Sequence, residues 1–451
     1  MTIAQTHAQA LGEEDSIWFK LTALVTTPDP MATLIRLSEK YGGCIPVRLK
    51  NQKLWLLSDV EHFRQVLVSN AENYEKYFEG MKAIFGKSMI TVDGALWQQL
   101  RKPQQSSFHP SKYSIYYPYL QQAIREKVAH WADLAKSGEE FELVEETWSL
   151  AADMVCKALF DRDMPYNPQV VFGAVKAYTD VMNHKTIRLK KVSGELTEIS
   201  GEEAAKAIET WWEVPEQVIG AQPRDYRDDT LLAMLKAAEL DPDLPEFDHQ
   251  QVVDEMKQYL WAGTETTALT LAWALYLTTK HPEVAEKIRR EGEDVYGDRE
   301  PTWEDLQKLS YTRSVLQETL RLYPPIWALI RTAVNDDKIG EHEIKAGDKV
   351  VLCIYVVHQN AKIWTNPQKF DPTRFSPDRM KRRPGYSYLP FSAGRRACIG
   401  GQLSLVENTL ALTTLLRRFR PEFAGEEPVQ LNATVTLTPK GGLPFRIHEL
   451  S

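Results

Sequence analysis

The segment Phe391-Ser-Ala-Gly-Arg-Arg-Ala-Cys-Ile-Gly400 constrains this chain most, because it frames one cysteine with an aromatic ring, two glycines and an arginine at fixed offsets. The pattern Phe-x-x-Gly-x-Arg-x-Cys-x-Gly arises by chance in roughly one chain in ten thousand of this length. It is typical of a cysteine that supplies an axial thiolate to haem iron. The chain is therefore expected to fold so that one loop presents Cys398 to a flat cofactor.

Each residue of this motif has a predicted role beside the haem. Cys398 is expected to ligate the iron, and Phe391 to pack beside the sulfur and exclude water. Gly394 and Gly400 are expected to let the backbone turn sharply and approach the porphyrin. Arg396 is expected to pair with a haem propionate. The alternative is a buried structural cysteine in a Gly/Arg loop.

Charge and cysteine usage exclude several classes of protein. The formal net charge of the 451 residues is -8, and the basic residues are dispersed, which argues against a nucleic-acid-binding protein. The four cysteines contain no Cys-x-x-Cys pair, so neither a disulfide framework nor a zinc site is predicted. The first residues lack the pattern of a signal peptide. We expect a soluble, cytoplasmic protein that is monomeric.

Hydrophobic periodicity predicts a mainly α fold with small β-sheets, of the α+β class. Helices are expected at Met31–Tyr41, over much of Ala95–Leu240, from His249 with Asp248 as cap, and at Pro282–Tyr296, Thr302–Tyr323 and Gly401–Phe419. Strands are expected at Cys44–Leu49 and Leu54–Ser58 as a hairpin, around Ile344, and at Val350–Val357 and Val435–Thr438. Loops are expected at Asp161–Pro168 and Lys190–Gly201, with a Pro-rich coil at Pro367–Pro390. No repeat or linker divides the chain, which predicts a single domain over residues 1–451 with residues 1–20 as a short N-terminal extension.

One apolar segment, Tyr259 to Thr279, is long enough to resemble a membrane span. It carries Glu265 in its interior, and a carboxylate there is costly in lipid. A long core helix is therefore expected, with no transmembrane anchor.

That helix contains Ala262-Gly-Thr-Glu-Thr-Thr267, in which an acid precedes an alcohol. Glu265 and Thr266 suit proton delivery to oxygen bound at iron, because a hydroxyl can hold the hydrogen-bond network while a carboxylate relays protons. Ala262 and Gly263 are expected to lie against the cofactor, with Gly263 leaving room above the ring. The alternative is that the Thr hydroxyls bond back to the preceding helical turn.

Glu318 and Arg321 lie one helical turn apart and can pair. The same spacing occurs at Glu61/Arg64 and Glu286/Arg289, where we expect solvated surface pairs. Glu318 and Arg321 differ because they precede Pro324-Pro325 in a helix rich in Leu and Val. Arg374 is predicted to complete an Arg-Glu-Arg network with them.

Taken in this order, the motifs resemble those of the cytochrome P-450 family of haem-thiolate monooxygenases, soluble bacterial type, from about residue 20 onward. Trp97-Gln-Gln-Leu-Arg101 is similar to the Trp-x-x-x-Arg helix of that family. The resemblance implies that Trp97, Arg101, Arg331 and Arg396 bind the propionates of haem b. It also implies one triangular, mostly α domain with a long central helix and a β-rich corner. The chain departs from the family at Thr373, where Glu is common before the arginine.

The resemblance further implies that dioxygen is the co-substrate and that one of its oxygen atoms enters a C-H bond. No flavin or iron-sulfur motif occurs in the sequence, so electrons are expected from a separate ferredoxin or flavodoxin with its reductase. Arg395, Arg417 and Arg418 are candidates for contact with such an acidic partner.

The segments that line the pocket in this family are apolar here, which predicts a hydrophobic substrate such as a fatty acid, terpenoid or steroid. The predicted lining comprises Phe78, Phe85, Met89, Ile90, Ala262, Ile326, Trp327, Ala328, Leu329, Val435, Thr436 and Leu437. For each residue, simple core packing is an alternative. The wording Glu-Thr-Leu-Arg-Leu-Tyr-Pro-Pro resembles the branch that includes fatty-acid and carotenoid hydroxylases.

Two other functions stay open at this point. A peroxide-driven peroxygenase of the same family is one, although such enzymes typically lack the acid-alcohol pair that Glu265 and Thr266 provide. A haem-based sensor or carrier without turnover is the other. Product formation supported by an apolar pocket and an electron partner distinguishes a monooxygenase from such a sensor or carrier.

Overall fold

The computed structural model describes residues 19–20, 29–49, 52–77, 79–165, 172–173, 209, 213–220, 227–242, 244 and 247–450. These residues are rich in helix and contain small sheets, which confirms the predicted fold class. The predicted loop Lys190–Gly201 and the pocket residue Phe78 lie outside them. Phe19 and Lys20, at the end of the predicted N-terminal extension, pair with a strand, and residues 1–18 are not among those described.

The helices, in chain order, are α1 (Pro30–Tyr41), α2 (Val60–Arg64), α3 (Glu79–Phe85), α4 (Gly94–Gln104), α5 (Tyr113–Ser137), α6 (Leu143–Val155), α7 (213–219), α8 (Leu231–Glu239), α9 (His249–Lys280), α10 (Pro282–Tyr296), α11 (Trp303–Leu306), α12 (Ser310–Leu322), α13 (Ile354–His358), α14 (Pro377–Lys381) and α15 (Gly401–Arg418). Two π-helical turns, Gln65–Ser69 and Cys156–Phe160, continue α2 and α6.

The strands are β1 (Phe19–Lys20), β2 (Cys44–Leu49), β3 (Gln52–Leu57), β4 (Tyr74–Lys76), β5 (Phe141–Glu142), β6 (Leu329–Ala333), β7 (Asp337–Ile339), β8 (His342–Ile344), β9 (Lys349–Leu352), β10 (Phe419–Phe423), β11 (Leu431–Ala433), β12 (Leu437–Pro439) and β13 (Pro444–Glu449). Within the described residues they form a mixed sheet in the order β1-β2-β3-β9-β6-β4, a sheet β10-β13-β5, and the pairs β11-β12 and β7-β8. The predicted hairpin is present, and its strands pair from Cys44↔Leu57 to Leu49↔Gln52.

The chain divides into two compact units. The first, which we call the sheet unit, comprises the described residues up to Tyr77 together with Gln317–Cys398 and Pro428–Lys440. The second, the helical unit, comprises the described residues of Phe78–Leu316, Ile399–Glu427 and Gly441–Ser451. The sheet unit contains the mixed sheet and the cysteine loop, and the helical unit contains α9. The single domain over the whole chain stays a prediction.

Helix α9 is the longest element described and packs on α6 and α15. Asp248 caps it, since its side chain accepts from the N-H of Gln251 at 2.9 Å. Its 32 residues span about 48 Å. The predicted long core helix is therefore present and begins ten residues before Tyr259. None of the helices described, α9 included, combines the length and the apolar character that a membrane span requires.

Several predicted elements are wrong in part. The strand predicted at Val435–Thr438 begins only at Leu437. The strand predicted at Val350–Val357 ends at Leu352, and α13 follows it. Ile354, Val356 and Val357 are all buried, and a short apolar run buried on several faces cannot be assigned to strand or helix by its sequence pattern. Pro367–Pro390, predicted as coil, contains a 3-10 turn and α14.

The helix predicted at Thr302–Tyr323 is divided into α11 and α12. The carboxylate of Glu291, on α10, accepts from the N-H groups of Tyr311 at 2.6 Å and Thr312 at 2.8 Å. These N-H groups lie in the first turn of α12, where no intrahelical partner exists. A cap supplied by another helix therefore starts α12, and the local sequence does not reveal it.

Candidate active site

The cysteine loop is a tight turn closed by backbone hydrogen bonds. The N-H of Cys398 donates to the carbonyl of Phe391 at 2.9 Å, and that of Ala397 donates to Gly394 at 3.1 Å. Gly394 has φ +70°, and a Cβ at this position would lie 2.1 Å from the carbonyl oxygen of Leu67. Glycine is therefore required there by conformation and by space. Gly400 has φ -88°, a backbone conformation that other residues also adopt. The turn expected at Gly400 therefore does not require glycine.

The four cysteines differ in what their thiols can do. Cys44, Cys156 and Cys353 are buried, whereas Cys398 is exposed. Burial raises the pKa of Cys44 and of Cys353 to about 12, and raises that of Cys156 as well. A metal ligand has to be a thiolate, so the three buried thiols are unsuited to that role. Cys398 fits the axial ligand that the sequence predicts.

Two of the predicted propionate ligands, Arg331 and Arg396, are both held at strand β4. Arg331 lies in β6 opposite Lys76 of β4, and its side chain is 4% exposed. The Nη1 of Arg396 donates to the carbonyl of Tyr74, the first residue of β4, at 2.8 Å. The Nη1 of Arg331 donates to the carbonyl of Ile330 at 2.9 Å. Within the sheet unit, the strand pairing and the cysteine loop thus bring the backbone of Arg331 and the guanidinium of Arg396 to one short strand.

Glu318, Arg321 and Arg374 form the network that the sequence predicts. Oε1 and Oε2 of Glu318 accept from Nη2 and Nε of Arg321 at 2.8 and 2.7 Å, and Oε1 accepts from Nε of Arg374 at 3.2 Å. The N-H of Asp371 also donates to Oε1 of Glu318, at 2.9 Å. Arg321 donates to the carbonyl of His358 at 2.9 Å, so Arg321 joins α12 to α13, while the carboxylate of Glu318 joins α12 to the segment around Arg374.

An aromatic cluster that the sequence analysis missed surrounds this network. The guanidinium of Arg383 lies 4.3 Å from the ring centroid of Trp364 and 4.5 Å from that of Phe375, at cation-π distance. Tyr388 stacks on the buried ring of His358 at 5.4 Å. Burial, with the nearby positive charge of the network, lowers the pKa of His358 to about 3. The aromatic residues between Trp364 and Tyr388 have no regular spacing in the sequence, so no periodic pattern indicated this cluster.

In the helical unit, α9 presents the predicted acid-alcohol pair. From Gln251 to Thr278 every residue is buried except Ala262, Gly263 and Thr266, which are half-buried. These three lie at i, i+1 and i+4, on one side of the helix. The hydroxyl of Thr266 donates to the carbonyl of Ala262 at 2.8 Å, which is the back-bonded state considered above. Its oxygen therefore keeps its accepting capacity. Glu265 is 9% exposed.

Gly263 has a packing role that the sequence did not predict. A Cβ there would lie 2.9 Å from Cγ2 of Val155, at the end of α6. The missing side chain thus allows α6 and α9 to approach closely, which is a different reason for glycine from the room above the ring that we expected.

A second acid beside the pair was also missed. The hydroxyl of Thr267 lies 3.1 Å from that of Ser404 and donates to Oε2 of Glu407 at 3.3 Å, and both partners belong to α15. Burial raises the pKa of Glu407 to about 7, while the bond from Thr267 opposes this. Glu407 occurs among the leucines and threonines of α15, and its presence in such a helix is the signal that could have identified it.

The remaining predicted haem ligands, Trp97 and Arg101, lie one turn apart on α4. Trp97 is 7% exposed and Arg101 is half-buried. Their i, i+4 spacing places them on the same side of the helix.

Three predicted pocket residues lie against α9. Phe85 stacks on Trp261 with ring centroids 4.8 Å apart. The N-H of Met89 donates to Oε1 of Glu255 at 2.7 Å, and the N-H of Ile90 donates to Oε1 of Gln258 at 2.7 Å. Glu255 and Gln258 of α9 therefore hold the backbone at Met89 and Ile90, one to two turns before Ala262.

Within the sheet unit, the pocket residues of two distant segments come together. The indole N-H of Trp327 donates to the carbonyl of Thr434 at 2.7 Å, and the N-H of Leu437 donates to that of Pro325 at 2.9 Å. Ile326–Leu329 therefore lie beside Val435–Leu437. Of these residues, Thr436 and Leu437 are buried and the others are half-buried.

The three basic residues suggested for a partner all have contacts within the chain. Arg395 pairs with Glu72, Arg418 pairs with Glu449, and Arg417 donates to the carbonyl of Gly297.

Comparison with known proteins gives one consistent result. A family model described as cytochrome P-450 matches residues 12–444. The plant Arabidopsis thaliana has Protein LUTEIN DEFICIENT 5, chloroplastic, which is 30% identical over 436 residues, covering 90% of this chain and 72% of that protein. Cyclooctatin synthase of Streptomyces melanosporofaciens is 30% identical over 416 residues, covering 88% and 87%. Cyclooctat-9-en-7-ol 5-monooxygenase of the same organism is 28% identical, covering 84% and 83%.

Solved structures agree in fold. The heme domain of cytochrome P450DA has a TM-score of 0.80 at 21% identity, covering 96% of this chain and 94% of that one. The retinoic acid bound cyanobacterial CYP120A1 has a TM-score of 0.79 at 23% identity, covering 92% and 93%.

Proposed function

The chain belongs to the cytochrome P-450 family and is an oxidoreductase of that family, and we propose that it inserts one oxygen atom of dioxygen into a C-H bond of a hydrophobic substrate. The observation that carries this proposal is the half-buried side of α9 formed by Ala262, Gly263 and Thr266. The rest of the helix from Gln251 to Thr278 is buried. The hydroxyl of Thr266 belongs to this half-buried side, and the carboxyl of Glu265 is its neighbour in sequence.

Haem b is the proposed cofactor, and Cys398 is its proposed axial ligand. When bound, the haem would activate dioxygen at its iron, to which the thiolate ligand donates electron density. Trp97, Arg101, Arg331 and Arg396 are proposed to bind its propionates. Phe391 and Gly394 shape the loop that carries the ligand, and the exposure of Cys398 among three buried thiols supports this assignment.

Thr266 and Glu265 are the proposed catalytic residues. The hydroxyl of Thr266 donates to its own helix, so its oxygen can accept a hydrogen bond from a neighbouring oxygen species. Glu265 is proposed to deliver protons to that hydroxyl. Electrons are proposed to come from a ferredoxin or flavodoxin with its reductase.

The substrate is proposed to belong to the fatty-acid, terpenoid or steroid class. The apolar residues 326–329 and 435–437, together with Phe85, Met89 and Ile90, support this. One relative is named as a monooxygenase of cyclooctat-9-en-7-ol. That name gives its substrate one hydroxyl group, and such a substrate would suit an apolar pocket. A reducing, cytoplasmic location stays part of the proposal.

The test is a reduced carbon-monoxide difference spectrum of the purified protein. We expect a band at the thiolate position, lost in Cys398→Ser and kept in Cys353→Ser, whose thiol is buried. Spin-state shifts of the wild type across fatty acids, terpenoids and steroids would then identify the substrate class. A thiolate band that survives Cys398→Ser would contradict the proposal.

A further inference from the structure

The segment Gln65–Lys76 forms the surface on which the Cys398 loop rests, and we call it the loop support. It contacts three consecutive residues of the loop. The carbonyl of Leu67 occupies the space beside Gly394, Glu72 pairs with Arg395, and the carbonyl of Tyr74 accepts from Arg396. The position of residues 394–396 therefore depends on where the loop support lies, and Cys398 follows two residues later.

The loop support begins with an unusual turn. Gln65–Ser69 is π-helical, and the N-H of Asn70 donates to the carbonyl of Gln65 at 2.8 Å. Such turns are rare and occur frequently at functional sites. This one carries Leu67, whose carbonyl oxygen lies against Gly394.

One carboxylate, distant in the sequence, holds the loop support. Oδ2 of Asp337, the first residue of β7, accepts from Nε2 of Gln65 at 3.1 Å, from Nδ2 of Asn70 at 3.0 Å and from the hydroxyl of Tyr74 at 2.6 Å. Its Oδ1 accepts from the N-H of Lys338 at 2.8 Å. Asp337 thus joins the π turn and β4 at a single oxygen.

The charge of Asp337 makes these bonds strong. Burial raises its pKa, but the hydrogen bonds, above all that from Tyr74, outweigh this and hold the pKa below its usual value. Tyr74 is 1% exposed, and burial together with the carboxylate raises the pKa of its hydroxyl. The donor is therefore a neutral phenol and the acceptor an ionised carboxylate, which gives a charge-assisted bond.

We propose that Asp337 is a positioning residue for the haem ligand, acting through Gln65, Asn70 and Tyr74 to fix the support on which the Cys398 loop rests. The inference rests on the proposed function, because it assumes that Cys398 binds the iron. The side chain of Asp337 accepts from three residues of the loop support and from the N-H of Lys338, and its effect on Cys398 is proposed to pass through the loop support.

The experiment compares Asp337→Asn with Asp336→Asn in the haem-loaded full chain. Asp336 is a suitable control, since it precedes Asp337 and its carboxylate accepts from Ala346 and Lys345 but not from the loop support. We expect Asp337→Asn to bind haem and to lose part of the thiolate band per haem, while Asp336→Asn keeps the wild-type band. A full thiolate band in Asp337→Asn would overturn the proposal.

A second readout requires no haem. Cys398 is exposed, so the rate at which a thiol reagent modifies it in the haem-free protein reports the position of the loop. We expect a changed rate in Asp337→Asn and an unchanged rate in Asp336→Asn. Equal rates in the wild type and both variants would contradict the proposed role.

Milder variants keep the test decisive if Asp337→Asn does not fold. Tyr74→Phe and Asn70→Ala each remove one bond to Asp337, while Asn73 continues to bond to Asn335 at 2.8 to 3.1 Å and β4 still pairs with β6. Both are expected to lower the thiolate band, and a wild-type band in both would reject the inference. Absence of the band in the wild type would instead reject the proposed function.

Discussion

Glu318 and Arg321 form a two-point ion pair in which neither side chain has any exposed surface, with contacts of 2.7 and 2.8 Å. Arg374 shares the same carboxylate. Such a pair is costly to desolvate, and its loss on one side leaves an uncompensated buried charge.

We therefore expect Glu318→Ala to lower the free energy of unfolding by about 3–5 kcal/mol, because Arg321 and Arg374 are left without their carboxylate. Chemical denaturation of the haem-loaded protein measures the change. Glu61→Ala is a matched control, since Glu61 and Arg64 have the same spacing but are 70% and 52% exposed. The control should lose at most about 1 kcal/mol. Equal losses in the two variants would contradict the structural role of the buried pair.

Thr266→Ala is expected to uncouple oxygen consumption from product formation, because the hydroxyl proposed to hold the hydrogen-bond network is removed. The measurement is product formed per oxygen consumed, with a substrate found by spin-state shift. Thr270→Ala is the control, since its hydroxyl bonds back to the carbonyl of Thr266 at 2.8 Å in the same manner. Unchanged coupling in Thr266→Ala, or an equal fall in both variants, would reject the proton role. Turnover supported by peroxide without an electron partner would favour the peroxygenase.

Glu407 predicts a pH dependence of stability. Its pKa is about 7 in the folded chain against an ordinary value of 4.5, so the folded state binds the proton more tightly. Stability is therefore lost as pH rises from about 4.5 to about 7. Glu407→Gln removes this loss, and the variant should gain about 3 kcal/mol relative to the wild type across that window.

Denaturation at several pH values measures this difference, in which the titration of every other group cancels. Glu422→Gln is the control of opposite sign, because the hydrogen bond from His448 holds the pKa of Glu422 below its ordinary value. Its removal should cost stability at higher pH. If the difference in unfolding free energy between Glu407→Gln and the wild type does not change with pH, the pKa of Glu407 is not raised in the folded chain.

Gln258→Ala is expected to free the backbone at Ile90, since that N-H loses its acceptor. An unsatisfied buried donor costs about 1–3 kcal/mol, and the N-H of the half-buried Ile90 should cost less than a fully buried one. Hydrogen exchange of the Ile90 amide should become faster and substrate binding weaker. Gln250→Ala, which removes an exposed glutamine of the same helix bonded to Asp254 at 2.9 Å, should leave both unchanged. Slow exchange at Ile90 in Gln258→Ala would show that other contacts hold this segment.

Elements defined by local signals were predictable from the sequence. Asp248 marked the start of α9, and α15 was predicted to within one residue. The Glu318 network was also within reach, because a helical spacing and a double proline pointed to it.

Features set by distant contacts were not predictable. Glu291, on α10, caps the first turn of α12. Asp337 accepts a hydrogen bond from Gln65, which lies 272 positions away in the sequence. Neither residue has a neighbour that signals its role. Glu407 is hidden for a related reason, since its pKa depends on burial that only the packed helices create.

The contact between Gly394 and the carbonyl of Leu67 has a consequence for engineering. The carbonyl of Leu67, in the π turn at Gln65–Ser69, lies where a side chain at residue 394 of the cysteine loop would be. A loop transplanted from a relative would meet a support shaped for another sequence. Residues 65–76 and 391–400 therefore form one exchangeable unit made of two pieces, and recombination points that separate them break the surface that both pieces build.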